Sequence, residues 1–166
     1  MVAQIDTTAA SLDAVLSPGQ SDLKKSFTSY SDNVVELEKT GDKVLKYMAE
    51  MKVNTKEYFA EWAKEGNTYT NPRLRELSEE RQNKLADIYA QVSAANEGVQ
   101  ESYQAYITDL KEIQMYLSND LTPNGIASVT PIAQKSVQDL VDLKASLRPV
   151  IYALDEIKAE LYSGGK

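Results

Sequence analysis

Between residues 21 and 65, apolar side chains recur in steps alternating four and three: Leu23, Phe27, Tyr30, Val34, Leu37, Val44, Met48, Met51, Tyr58 and Trp62. Gly41 and Thr55 fill the two remaining positions of that register. A seam sustained this long at a period of 3.5 is the mark of helices that bury one stripe against a neighbour. The stripe predicts a helix over residues 21–65, with Ser21 as its cap and Gly66 as a left-handed stop. At 1.5 Å per residue such a helix is roughly 68 Å long.

Asn67 to Asn71 before Pro72 reads as a turn, with Asn71 and Pro72 as cap and first position of a second helix over about 72–120. Its seam runs through Leu74, Leu77, Arg81, Leu85, Ile88, Val92, Ala95, Val99, Tyr103, Tyr106, Leu110, Ile113, Leu117 and Leu121. Consecutive steps of four at 77–85, 95–103 and 113–121 are stutters that locally relax a left-handed supercoil. The breakers gathered at 118–125 reverse the chain again, with Thr122 and Pro123 as cap and first position. The third helix, about 125–162, carries Ile126, Val129, Ala133, Ser136, Leu140, Leu143, Leu147, Val150, Leu154, Ile157 and Leu161 at threes and fours. Pro149 lies inside that run, where a kink rather than a break is expected. Ile5, Ala9, Leu12 and Leu16 predict a minor helix near 4–16, stopped by Ser17-Pro18-Gly19; residues 163–166 read as a frayed tail.

The expected fold is therefore all-α: an elongated, coiled-coil-like antiparallel three-helix bundle with a short extra N-terminal helix, a single domain over 1–166. Folding the hairpins back puts Trp62 beside Leu74 and Leu77, Met48 beside Ile88 and Val92, and Phe27 beside Leu110 and Ile113. Tyr30, Tyr58, Tyr103 and Tyr106 lie on seams as core aromatics. The same alignment puts Gly41, the stretch Ala95 to Gly98, and Pro149 at one height. Two glycines cost about 1 kcal/mol each inside helices and a proline about 3, which suggests a narrow waist of closely approaching backbones. The alternative is helix breakers tolerated independently.

Composition closes off most chemistry. With neither Cys nor His, the chain has no disulfide framework, no thiol nucleophile, no imidazole base and almost no route to zinc. A formal charge of -7 disfavours nucleic acid as a partner. No stretch approaches the roughly 18–20 consecutive apolar residues of a membrane helix. The opening Met1-Val2-Ala3-Gln4-Ile5-Asp6 has none of the features of a secretory signal, so the chain is either cytosolic or trimmed of a leader. The acids Glu76-Glu79-Glu80, Asp139-Asp142 and Asn119-Asp120 lack the spacing of a calcium loop, and no metal or cofactor is expected. Arg81 sits on a seam position, its stem packed and its guanidinium free to reach a carboxylate. Glu61, Glu65, Tyr69, Arg73 and Arg75 gather around the first turn beside Trp62. They form either a partner-recognition tip or the caps and surface ion pairs of a helical hairpin.

The stretch Tyr58-Phe59-Ala60-Glu61-Trp62-Ala63-Lys64-Glu65, followed by Tyr69-Thr70-Asn71-Pro72-Arg73-Leu74-Arg75-Glu76-Leu77-Ser78, resembles the first turn of a bacterial family, domain of unknown function 2959. Residues 117–129 resemble its second turn, with departures at Pro72, Asp120, Pro131 and Pro149 that leave the continuity of the third helix open. Members often look like envelope lipoproteins with a leader and a lipid-bearing Cys, which this chain lacks. The resemblance implies a helical, exported protein and supplies no catalytic residues. Together these readings predict a non-enzymatic structural or protein-interaction module of the bacterial envelope, in the periplasm or at the outer membrane. It would act on an unknown protein partner or by self-association, and reach a membrane only through a lipid anchor. A cytosolic adaptor, binding through one bundle face or the 66–76 turn, is the alternative.

Overall fold

The computed structural model describes residues 1–17 and 22–162. They form four helices, α1 (Val2–Leu16), α2 (Leu23–Gly66), α3 (Pro72–Asn119) and α4 (Pro123–Tyr162), with no strand among the described residues. The Ser21 cap and the frayed tail lie outside the described residues; the observed cap of α2 is Asp22, whose Oδ1 accepts the Lys25 amide at 3.0 Å. Both turns use the expected caps at the start of the next helix, while Gly66 ends α2 as its last helical residue without the left-handed backbone expected of it. Asn71 Oδ1 accepts the Arg73 amide at 2.9 Å and Thr122 Oγ1 accepts the Gly125 amide at 3.1 Å, each just ahead of a proline whose missing N–H costs nothing at a first helical position. Gly125 is required there because a Cβ would overlap the Asp120 carbonyl. α4 runs unbroken through Pro131 and Pro149, both exposed, so the ladder bonds they forfeit are on the water-facing side.

The chain divides into two compact units: Met1–Val44 with Gly98–Ser146, and Leu45–Glu97 with Leu147–Lys166. In the first, α2 and α3 run antiparallel. Tyr30 Oη donates to the Leu110 carbonyl at 2.7 Å, while Tyr103 Oη, earlier on α3, donates to that of Glu38, later on α2, at 3.1 Å. Val34, Leu37, Leu110, Ile113, Leu117, Val129 and Leu143 fill the space between α2, α3 and α4. α1 is no minor helix here. Its buried face is Ile5, Thr8, Ser11, Leu12 and Val15, and it joins α2 through Thr8 Oγ1, which donates to the Asn33 carbonyl at 3.2 Å. Lys144 of α4 pairs with Asp6. This unit is thus a four-helix core, and the expected stripe of Ile5, Ala9, Leu12 and Leu16 is corrected to one that turns Thr8 and Val15 inward.

The second unit has three helical segments. Met48, Leu85, Ile88, Val92, Leu147, Val150, Ala153 and Ile157 are buried. Gln82 Nε2 donates to the Phe59 carbonyl at 2.9 Å and Trp62 Nε1 to Ser78 Oγ at 2.9 Å, again setting α2 antiparallel to α3. Several expected seam residues face water instead: Tyr58 is 55% exposed, Leu74 53%, Leu77 44%, Leu154 42% and Leu161 49%. Phe59 and Ala153, one residue away from Tyr58 and Leu154, turn inward. A strict heptad drifts by about 20° per repeat around a straight α-helix, so an extrapolated register misassigns neighbours within a few turns.

The two glycines of the anticipated waist behave oppositely. Gly41 is buried, and a Cβ on it would overlap the Tyr103 ring; Gly98 is exposed with nothing within 4 Å of such a Cβ. Gly41 admits a tyrosine, while Gly98 is simply a tolerated helix residue. The shared close approach is therefore refuted at Gly98.

Candidate functional site

The first turn, in the second unit, holds every residue singled out as a recognition tip. Glu61, Glu65, Tyr69, Arg73 and Arg75 are all exposed. Glu61 pairs with Lys64 at 2.5 Å and Arg73 with Glu76 at 2.6 Å, each pair within one helical turn and open to water. Arg75 Nη2 donates to the Tyr69 carbonyl at 2.8 Å, and Thr68 Oγ1 to the Glu65 carbonyl at 2.7 Å. These bonds fix the loop between α2 and α3 from both sides and leave the Tyr69 ring on the surface. The five residues are brought to one end of a hairpin, but their charges do not converge on a common point.

Below the turn lies an aromatic cluster that the periodicity did not anticipate in full. Phe59 stacks on Trp62 with ring centroids 6.2 Å apart, meets Tyr89 edge-on at 5.8 Å, and touches Tyr58 at 5.4 Å. Phe59 and Tyr89 each sit one residue beside a predicted seam position, which is the only trace of this cluster in the sequence. Two hollows flank it, of about 290 Å³ and 360 Å³, sharing Met51, Thr55 and Tyr89. The first is walled by Met48, Phe59 and Val92 with Lys52 and Lys56 at its edge; the second by Tyr47, Asn54, Tyr58 and Glu50, whose charge is met by Lys46. Desolvation, then the neighbouring Tyr58, pushes the Tyr89 phenol above its usual range.

The charged side chains elsewhere are mostly occupied. Arg81, half-buried, pairs with the Glu160 carboxylate and donates through Nη2 to its backbone carbonyl at 2.5 Å; Lys84 reaches the same carboxylate at 2.5 Å. Hydrogen bonds from Lys84 and Arg81 hold Glu160 below the usual carboxylate range. In the first unit Lys135 bridges Asp109 at 2.7 Å and Asp139 at 2.8 Å, which raises its own pKa. Nothing in the sequence pairs Asp109 with Lys135, because the contact crosses between helices. Glu76 is held by Arg73, Asp142 accepts from Gln138 at 3.0 Å, and Asp120 from Thr122 at 2.7 Å. Among the described residues no group of three or more His, Cys, Asp or Glu is placed to hold a metal ion, and no helix is long and apolar enough to cross a membrane.

Three phenols in the first unit are pushed well above the usual tyrosine range, chiefly by burial: Tyr30, Tyr103 and Tyr106. The first two donate to carbonyls. Tyr106 Oη is buried without a partner, beside a cleft of about 330 Å³ edged by Asp6 and Asp13.

The chain belongs to the family described as Protein of unknown function (DUF2959), which matches residues 3–160. No curated protein and no solved structure matches it.

Proposed function

We propose that this family member is a non-enzymatic protein-interaction module of the bacterial envelope, and that it meets its partner at the turn between α2 and α3. The observation that carries the reading is the bond from Arg75 to the Tyr69 carbonyl, 2.8 Å. With the Asn71 cap it pins an exposed loop in one conformation, so little ordering entropy is lost when a partner docks. Tyr69 supplies an amphipathic ring at the same end of the hairpin as Glu61, Glu65 and Arg73, which carry charge of both signs. Glu76, Asp120, Asp139 and Asp142, from the acidic clusters of the sequence, argue in the same direction, being held in ion pairs and surface bonds that place them poorly for general acid or base work. The envelope location rests on the family's resemblance to exported lipoproteins.

The test is chemical crosslinking in native cells followed by recovery of the protein, comparing wild type with Tyr69→Ala, Arg73→Glu and Arg75→Ala. A partner lost from these variants and retained by wild type is the expected result. Recovery of the same partners in all four removes the turn as the contact. Fractionation of the native full-length protein into envelope and cytosol tests the location separately.

A further inference from the structure

Lys52 and Lys56 stand one helical turn apart on α2, at the edge of the apolar hollow walled by Met48, Phe59 and Val92. Neither has an ion-pair or hydrogen-bond partner among the described residues. Their neighbours along the same helix hairpin differ: Lys46 is paired with Glu50 at 3.7 Å, Lys64 with Glu61, and Lys84 with Glu160. In a chain of formal charge -7, two adjacent free ammonium groups beside an apolar hollow make a local site for negative charge joined to apolar surface.

The second hollow completes the geometry. It adjoins the first across Met51, Thr55 and Tyr89, so the surface offers two seats, each with room for a large apolar side chain, separated by a ridge. Methionine walls adapt to the shape of what enters, and exposed Tyr58, 55% accessible, gives a rigid aromatic rim. Both hollows are open to solvent. An acyl chain laid along them would stay half hydrated, whereas an amphipathic helix needs to bury only one stripe.

We propose that this twin-hollow face of the second unit binds an acidic amphipathic helix of a partner protein, seating two apolar side chains one turn apart in the hollows and its carboxylates against Lys52 and Lys56. The inference rests on the reading of this chain as an interaction module and adds the chemistry of what it binds, at a surface other than the turn.

The probe is a random library of 16-residue peptides displayed for selection against the full chain. Expected are binders with two apolar residues three or four apart, flanked by Asp or Glu. Their affinity should fall at least tenfold for the Lys52→Glu/Lys56→Glu double variant, with the fall shrinking as salt rises. Both lysines are exposed and unpaired, so the variant should keep its helical circular dichroism. Met51→Ala should weaken the same peptides several-fold while keeping their charge preference. Selected peptides without acidic bias, peptides indifferent to the double variant, or failure to select any that map to these hollows overturns the inference. So does laurate displacing the selected peptides from the hollows, which would identify an anionic amphiphile as the occupant. Crosslinked partners lost on changing Tyr69 or Arg75 but indifferent to the lysines would sink this proposal and leave the module reading standing. Peptides that bind as expected with no partner recovered from cells would do the reverse.

Discussion

The two units draw on the same three long helices and differ in how well they bury them. Of the twelve largest fully buried side chains, Val92 alone belongs to the second unit. The first unit has α1 as a fourth wall, and Tyr30, Tyr106, Leu110 and Leu143 vanish behind it or between its neighbours. The second has three segments and leaves Leu74, Leu77, Leu154 and Tyr58 in water. A single sequence pattern therefore yields a tight core where a fourth helix is available and an open, aromatic surface where it is not. The tight unit holds most of the fully buried side chains, and the open one presents the surfaces proposed to bind.

Alkali should separate the units most strongly. The phenols of Tyr30, Tyr103 and Tyr106 keep their protons above the ordinary tyrosine range. Their contribution is complete below about pH 10, where unfolded phenols begin to ionise, and is lost as pH rises through the folded values. The second unit has two raised phenols, Tyr89, which is half-buried, and Tyr152, raised by its hydrogen bond to Glu156 on the surface. Hydrogen exchange followed residue by residue should show the first unit losing protection first above about pH 10; earlier loss in the second would break the comparison.

Truncation comes next. Leu110→Ala, at a position with no exposure, should cost about 3–4 kcal/mol in denaturant unfolding, against less than about 0.5 for Leu77→Ala. Gly41→Ala should cost about 1–3 kcal/mol, because the added methyl meets a tyrosine ring that is itself buried. Pairing it with Tyr103→Leu should recover much of that loss, and strict additivity in the double-mutant cycle would refute the contact. Tyr30→Phe removes a buried bond and should cost about 1 kcal/mol, whereas Tyr106→Phe removes a hydroxyl with no partner and should be neutral or stabilising. Equal costs for the two would mean that Tyr106 has an acceptor in solution. The smallest effect belongs to Glu160, whose pKa is lowered by Lys84 and Arg81. Its contribution is present above about pH 4.3 and fades as pH falls through the lowered folded value, so Glu160→Gln should flatten the acid limb of a stability profile.

The long helices and both caps were legible because they rest on local chemistry: Asn71 before Pro72, Thr122 before Pro123, and apolar steps of three and four. The residues that turn inward were legible near the middle of each seam and lost toward the first turn. There an integer register separates from a helix of 3.6 residues per turn, and Phe59 takes the place assigned to Tyr58. The role of α1 was hidden for a different reason. Its buried face includes Thr8 and Ser11, whose hydroxyls bond to backbone carbonyls, so a search for apolar spacing passes over two of its inward positions. The tip residues were found by proximity to a turn, which sequence shows, while the Tyr89 and Phe59 contact and the Lys135 bridge depend on distant stretches meeting.

The chain's one tryptophan stacks on Phe59 and gives its indole N–H to Ser78, wholly within the open unit. Tryptophan emission, excited apart from the tyrosines, is therefore blind to half of this molecule. An emission trace recorded during melting reports the loosening of the aromatic surface, while near-ultraviolet dichroism is weighted toward the sealed tyrosines at the other address. If the two signals fail to coincide, a single melting temperature for this protein is a statement about which chromophore was watched.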